Sequence, residues 1–176
     1  MRLFLAIGTE GKLKDELLGM QEELRRRGVR GNYTLPENLH VTTAFIGEYG
    51  DPDRALEALE PLRFHPFRIG IERIGAMSSF ESLWFAAIRE DGSLTATVRS
   101  LRHLLADAEI PFDRKKYFPH VTLVRKPTFL KDPHLETVPV PQDEMEVRRI
   151  SLFLSTRGKN GMIYTELGSV SAEKDA

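Results

Sequence analysis

Two histidines in this chain sit in the same short phrase. Residues 40–42 read His40-Val41-Thr42, and residues 120–122 read His120-Val121-Thr122. Valine and threonine are β-branched and suit a pleated strand. On a strand, side chains two residues apart share a face, so each phrase presents an imidazole beside a hydroxyl. Two such copies facing each other across a cleft supply a general acid and a general base, because histidine titrates near neutral pH. The hydroxyls can donate to an anionic centre. Two imidazoles and two donors around one anion suit a phosphate diester. The expected reaction is in-line displacement at phosphorus, with preorganised donors stabilising the oxygen charge and with no metal and no cofactor. Arg125, three residues after Thr122, is a candidate for a charge-assisted contact to a phosphate oxygen. Strict alternation puts positions 120, 122 and 124 on one face. Arg125 then points the other way, unless the strand ends or bulges there.

The surroundings of the two phrases repeat as well. Phe4-Leu5-Ala6-Ile7 precedes the first and Phe85-Ala86-Ala87-Ile88 the second, at nearly the same separation. Each apolar run leads into a polar turn, a helical pattern and then the histidine phrase. This is an internal duplication with a period of about 80 residues.

The elements that must hold these phrases can be read in order. Residues 2–7 form a strand with a continuous apolar run. Residues 12–27 form a helix whose stripe is Leu13, Leu17, Met20 and Leu24, with Gly28 as its stop. Residues 29–37 are irregular, and a strand covers 39–47. Asp51 caps a short helix that has Pro52 at its first position. A strand over 66–74 precedes a loop over 75–82, which divides the halves. The second half repeats a strand at 83–88, a helix to about residue 108 and a basic, aromatic loop over 110–118. The strand PHVTLV follows, and then a proline-bearing loop over 127–141. Strands at 146–154 and 162–168 form a closing hairpin, and the last residues, SAEKDA, fray. The pattern predicts an α+β fold in a single domain over 1–176. It would be a bilobal, pseudo-twofold duplication with lobes of about 1–78 and 79–176, the termini crossing between them. Mainly antiparallel sheets would line a central cleft, with helices packed outside.

Composition narrows the function classes. The 176 residues are 41% hydrophobic and 29% charged, with a net charge of −1, so no global basic field points to long nucleic acid. There is no cysteine, which excludes disulfides, thiolate metal sites and a cysteine nucleophile. No metal-ligand spacing surrounds either histidine phrase, and no G-x-S-x-G elbow is present. The chain lacks signal-peptide features and any apolar run long enough for a membrane span, so a cytoplasmic protein with no membrane partner is expected, a monomer by default. His65, His103 and His134 lack a paired context and read as surface or structural residues. Arg25, Arg26 and Arg27 read as a solvated helix end rather than an RNA contact.

At the quoted residues the sequence resembles the two-histidine (2H) phosphoesterase superfamily. Within it the likeness is to the bacterial and archaeal RNA 2′,3′-cyclic phosphodiesterases, historically called 2′-5′ RNA ligases. The matching stretches are RLFLAI, NLHVTTAFIGE, LWFAAI, FPHVTLVRK and SLFLSTRGKNGMIYTELG. The resemblance implies hydrolysis of a ribose 2′,3′-cyclic phosphate, on an RNA end or a small nucleotide, to a 2′-phosphate. It makes His40 the acid that protonates the leaving 3′ oxygen and His120 the base that activates water. Thr42 and Thr122 would hold the phosphate, and Arg125 matches a basic family position. Tyr117, Phe118 and Phe45 are candidates for stacking a base. Thr43 departs from the larger aliphatic residue usual in the family and is expected to face away from the cleft. A reversible 2′-5′ ligase and a non-catalytic module binding nucleotides or RNA ends remain open readings. The two phrases themselves are too alike to say which histidine is the acid.

Overall fold

The structure is a computed structural model that describes residues 1–78 and 82–174. Strand β1 (Arg2–Gly8) leads into helix α1 (Gly11–Arg26). The stripe Leu13, Leu17, Met20 and Leu24 is buried as its spacing demands. The helix stops at Gly28, whose φ of 85° lies in the left-handed region that glycine adopts without a Cβ clash. Strands β2 (Arg30–Tyr33) and β3 (His40–Glu48) follow. Helix α2 (Pro52–Ala58) is capped by Asp51, whose side chain accepts the Arg54 N–H at 3.1 Å. Next come β4 (Phe67–Ser78), β5 (Ser82–Arg89), α3 (Ser93–Asp107) and β6 (His120–Thr128). The chain closes with β7 (Glu144–Val147), β8 (Arg149–Gly158) and β9 (Gly161–Ser171).

The strands make two antiparallel sheets: four strands in the order β3-β1-β8-β9, and five in the order β2-β6-β5-β4-β7. Each histidine strand lies beside the apolar strand that opens its half, β3 on β1 and β6 on β5. The fold is the α+β arrangement that the pattern predicts. The sheets nevertheless draw on both halves of the sequence. β2 and β4 join the five-stranded sheet, and the C-terminal hairpin β8–β9 joins the four-stranded one. The helices exchange too: α1 packs on β6 and β7, whereas α3 packs on β3 and β4. β3 and β6 run close together, so the two sheets meet along the histidine strands.

Four local expectations are corrected. Residues 30–33, read as irregular, form the edge strand β2. Its sequence, RGNY, carries no apolar alternation, and pairing with β6 holds it in place. Gly31 allows this approach, since a Cβ there would sit 2.8 Å from the Arg125 carbonyl oxygen. The loop expected over 75–82 is strand as far as Ser78, with Gly75 paired to Phe85 and Ala76 to Trp84. The 146–154 strand is two strands in different sheets. The apolar alternation changes phase between Val147 and Ile150, and Arg148 turns the chain from one sheet to the other. The C-terminal tail does not fray at Ser171: the Ala172 and Glu173 N–H groups donate to the carbonyls of Arg148 and Phe64. Of SAEKDA, residues 175–176 lie outside the described residues. Among the described residues, no helix is long and apolar enough to cross a membrane.

Candidate active site

Both histidine strands carry a bulge at the same place. In β3, Thr42 pairs with Ala6 and Ala44 with Leu5, leaving Thr43 as an extra residue. In β6, Thr122 pairs with Phe85 and Val124 with Trp84, leaving Leu123 as the extra one. A bulge shifts the side-chain alternation by one position. Burial follows this shift. Val41, Thr43 and Ala44 are buried while His40, Thr42 and Phe45 are partly open, and Val121, Leu123 and Val124 are buried while His120 and Thr122 are partly open and Arg125 is exposed. Arg125 thus returns to the His120 face, where strict alternation would have turned it away. Phe45 occupies the equivalent position on β3. Thr43 faces away from the histidines, into the core.

A bulge leaves backbone carbonyls without ladder partners, and a buried carbonyl must be satisfied. Behind β6, the Thr34 hydroxyl donates to the Thr122 oxygen at 2.8 Å, and Gln21 Nε2 donates to the Leu123 oxygen at 3.0 Å. Behind β3, the Tyr117 hydroxyl donates to the Thr42 oxygen at 2.9 Å, and Arg102 Nε donates to the Thr43 oxygen at 3.2 Å. The helix that precedes each histidine strand in sequence therefore braces the bulge of the other one.

The imidazoles are anchored alike. His40 Nδ1 lies 2.6 Å from the Asn38 carbonyl, and His120 Nδ1 lies 2.7 Å from the Phe118 carbonyl. A carbonyl only accepts, so Nδ1 carries the proton in each ring and Nε2 is left for chemistry. His40 Nε2 lies 3.0 Å from the Thr42 hydroxyl, which donates to it when the ring is neutral. Phe4 packs on His40 at 5.2 Å and Phe85 on His120 at 5.5 Å between ring centroids. The second ring neighbours differ. Tyr164 meets His40 edge-on, and Phe118 stacks on His120.

Both imidazoles are held below the ordinary histidine range. For each the main cause is burial, opposed by the backbone carbonyl on Nδ1. The positive charges of His120 and Arg125 add to the depression at His40, and Arg125 adds to it at His120. Arg125 also acts on Tyr164, whose hydroxyl is pushed up chiefly by burial. One guanidinium thus reaches both imidazoles and a tyrosine. Among the described residues, no three His, Asp or Glu side chains gather as a metal site.

The remaining site candidates separate by position. Phe118 is 38% exposed beside His120, with its ring available to a ligand. Phe45 lies under the Arg2 guanidinium at 5.1 Å. Tyr117 is partly buried, its hydroxyl committed to the Thr42 carbonyl and its ring beneath Arg102. His65, His103 and His134 are exposed beside carboxylates. Sequence reasoning missed Tyr164, Asn38 and the braces. Gln21 did leave a signal: a polar residue between Met20 and Leu24 on the buried face of α1. Tyr164 left none, because nothing local marks which strand will cross beside His40.

Comparison with known proteins shows the family. The sequence matches the family described as LigT like Phosphoesterase over residues 7–82 and over residues 88–164, one stretch for each histidine phrase. The chain is 32% identical to the RNA 2′,3′-cyclic phosphodiesterase of Archaeoglobus fulgidus, an alignment covering 95% of this chain and 98% of that one. It is 30% identical to the enzyme of the same name from Methanocaldococcus jannaschii, over 93% and 96%. Among solved structures, TT0787 of Thermus thermophilus superposes with a TM-score of 0.79 at 26% identity, covering 97% of each chain. E. coli LigT superposes at 0.77 and 20% identity, over 98% of each, a likeness of fold. With both histidine strands inside the matched stretches, the chain belongs to the LigT-like phosphoesterases of the 2H superfamily.

Proposed function

We propose that this protein hydrolyses 2′,3′-cyclic phosphate ends of RNA or nucleotides to 2′-phosphates, with its two imidazoles as acid and base and without a metal. The observation that carries the reading is the matched pair of anchored histidines. Each has Nδ1 held by a carbonyl, which leaves Nε2 on the site side, and a threonine hydroxyl on the same face, for His40 within hydrogen-bond distance of Nε2. The curated relatives named RNA 2′,3′-cyclic phosphodiesterase support the substrate class.

In this mechanism Thr42, Thr122 and Arg125 donate to the non-bridging phosphate oxygens and hold the phosphorus between the rings. Neutral His120 accepts a proton from water through Nε2 as the water oxygen bonds to phosphorus. The bond from phosphorus to O3′ breaks in line, and His40, protonated on Nε2, gives its proton to that oxygen. The products are a 2′-phosphate and a 3′ hydroxyl, and one proton has passed from His40 to the product and one from water to His120. The acid and base assignments follow the family resemblance. Phe118, beside His120, is placed to stack a base of the substrate.

The test is incubation of RNA bearing a 2′,3′-cyclic phosphate with the protein in EDTA, followed by identification of the terminal phosphate. A 2′-phosphate is expected. A 3′-phosphate overturns the ring-opening direction. A cyclic end bound but unchanged selects a binding module, and joined half-molecules with a 2′-5′ bond select ligation.

A further inference from the structure

The loop that carries the basic and aromatic run 110–118 is only partly used by the site. Its Tyr117 and Phe118 support and flank the histidines, while its other end closes a separate cavity of about 400 Å³ against the outer face of α3. That cavity is lined by Arg99, Arg102, Arg114 and Lys116, with the rings of Phe112 and Tyr117 between them. The guanidiniums are set against the rings. Arg114 lies 4.6 Å from the Phe112 centroid, and Arg102 lies 6.0 Å from Phe112 and 5.1 Å from Tyr117. Such packing fixes a guanidinium in direction without cancelling its charge.

The charge here is left unneutralised. Several arginines elsewhere are paired: Arg26, Arg27, Arg68 and Arg89 each sit within ion-pair distance of a carboxylate. Among the described residues, Arg99, Arg102, Arg114 and Lys116 have no such partner, and Arg102 donates only to the neutral carbonyls of Thr43 and Lys115. The nearby carboxylates keep their charge but form no ion pair with these cations. Asp107 faces His103, Asp113 accepts the Lys115 N–H, and Glu90 accepts the Gly92 and Leu94 N–H groups and the Thr95 hydroxyl. In a chain of net charge −1, four unpaired cations around two rings make a local site for phosphate and a stacked base.

We infer that this basic pocket between α3 and the 112–117 loop binds a phosphate and base of the RNA strand whose cyclic end lies at the histidines, so that the preferred substrate is an RNA rather than a mononucleotide. The inference rests on the proposed hydrolysis and names its substrate. The connection is short. Lys116 at the pocket and His120 at the site are four residues apart, at most about 14 Å of extended chain, a span that one strand covers within a few nucleotides.

The test compares the parent protein with the double variant Arg99→Gln, Arg114→Gln. Both residues are exposed and make no hydrogen bond among the described residues, so the fold is retained. Kinetics are measured on an oligoribonucleotide ending in a 2′,3′-cyclic phosphate and on a 2′,3′-cyclic mononucleotide, across salt concentrations. On the oligonucleotide the variant should lose about tenfold in kcat/KM through KM, and its log–log salt slope should fall by about 0.7 for the lost phosphate contact. Turnover of the mononucleotide should not change. An equal loss on both substrates, or none on the RNA, overturns the inference. If the parent turns over neither substrate, the hydrolysis reading fails alone. Fluorescence anisotropy with a labelled oligonucleotide then decides: about tenfold weaker binding by the variant supports the pocket, and unchanged binding overturns it. ATP binding that the variant loses while RNA binding persists assigns the pocket to free nucleotides and likewise overturns it.

Discussion

β3 and β6 are one design made twice, and they part company after the bulge. Both carry histidine, a buried valine, threonine and an extra residue that shifts the alternation. The next side chain on the site face is Phe45 in one strand and Arg125 in the other. Geometry is thus duplicated while charge is not. Because the strands lie close together, the one guanidinium reaches both imidazoles. A second arginine at position 45 would depress the histidines further and make the protonated acid harder to hold.

The sharpest way to break the symmetry is to remove one imidazole at a time. If the two strands contribute acid and base to one step, His40→Ala and His120→Ala should each cost about 10²–10⁴ in kcat. The double variant should cost little more than either single one, since the residues act as a unit. Rapid-quench turnover on a cyclic-phosphate RNA measures this. A variant that keeps most of its activity would show that the other strand works alone.

The divergent position should show itself in pH dependence. Burial and positive neighbours lower both imidazoles, so the bell-shaped profile should centre on the acid side of the ordinary histidine value of about 6.5. Arg125→Gln removes a positive charge that disfavours both imidazolium forms, so both limbs should move to higher pH, with a loss of about 10²-fold in kcat. Phe45→Leu carries no charge change and should leave the limbs in place. Limbs that stay fixed in Arg125→Gln would separate the guanidinium from the histidines.

How far the sequence revealed this comparison depends on distance along the chain. The duplicated phrase, the apolar strands ahead of it and the two helical stripes are local patterns, and the site histidines and threonines were legible from them. Position 125 was half legible. Its residue type suggested phosphate, but its direction depends on a bulge that no local pattern announces. The exchange of helices and strands between the sheets was invisible as a pattern, because β2 and β7 are short strands held by partners far away in sequence. Tyr164 and the carbonyls of Asn38 and Phe118 were missed for the same reason: each is brought to the site by a pairing or a turn rather than by its own chemistry.

The braces behind the bulges differ in burial, and that difference should be measurable as stability. Gln21 is 2% exposed, and its amide serves the carbonyls of both Thr34 and Leu123. Gln21→Leu strands those acceptors away from water and should cost about 1–3 kcal/mol. Arg102 is partly open to solvent, so Arg102→Leu lets water reach the Thr43 carbonyl and should cost about 1 kcal/mol or less. Urea unfolding of the two variants, at matched slopes, gives the order. Equal costs would mean that the two bulges are supported alike.

The smallest effect is expected at the extra residue itself, and it should be favourable. Thr43 is 0% exposed, and its hydroxyl finds no partner among the described residues, whereas the equivalent residue of β6 is the apolar Leu123. A buried, unpaired hydroxyl carries its desolvation cost with no return. Thr43→Val keeps the β-branched shape that suits the strand and removes only that hydroxyl. It should stabilise the fold by about 1 kcal/mol, seen as a rise in Tm of about 2–4 °C for a chain of this size. Thr43→Leu would copy β6 more literally, but it adds volume to a packed site and should give up the gain to strain. Turnover should be unchanged in Thr43→Val, because the side chain faces the core and its backbone carbonyl still receives Arg102. A fall in Tm would show that the hydroxyl has a hydrogen-bonding role after all, and that the two bulges differ in chemistry and not only in the residue that follows them.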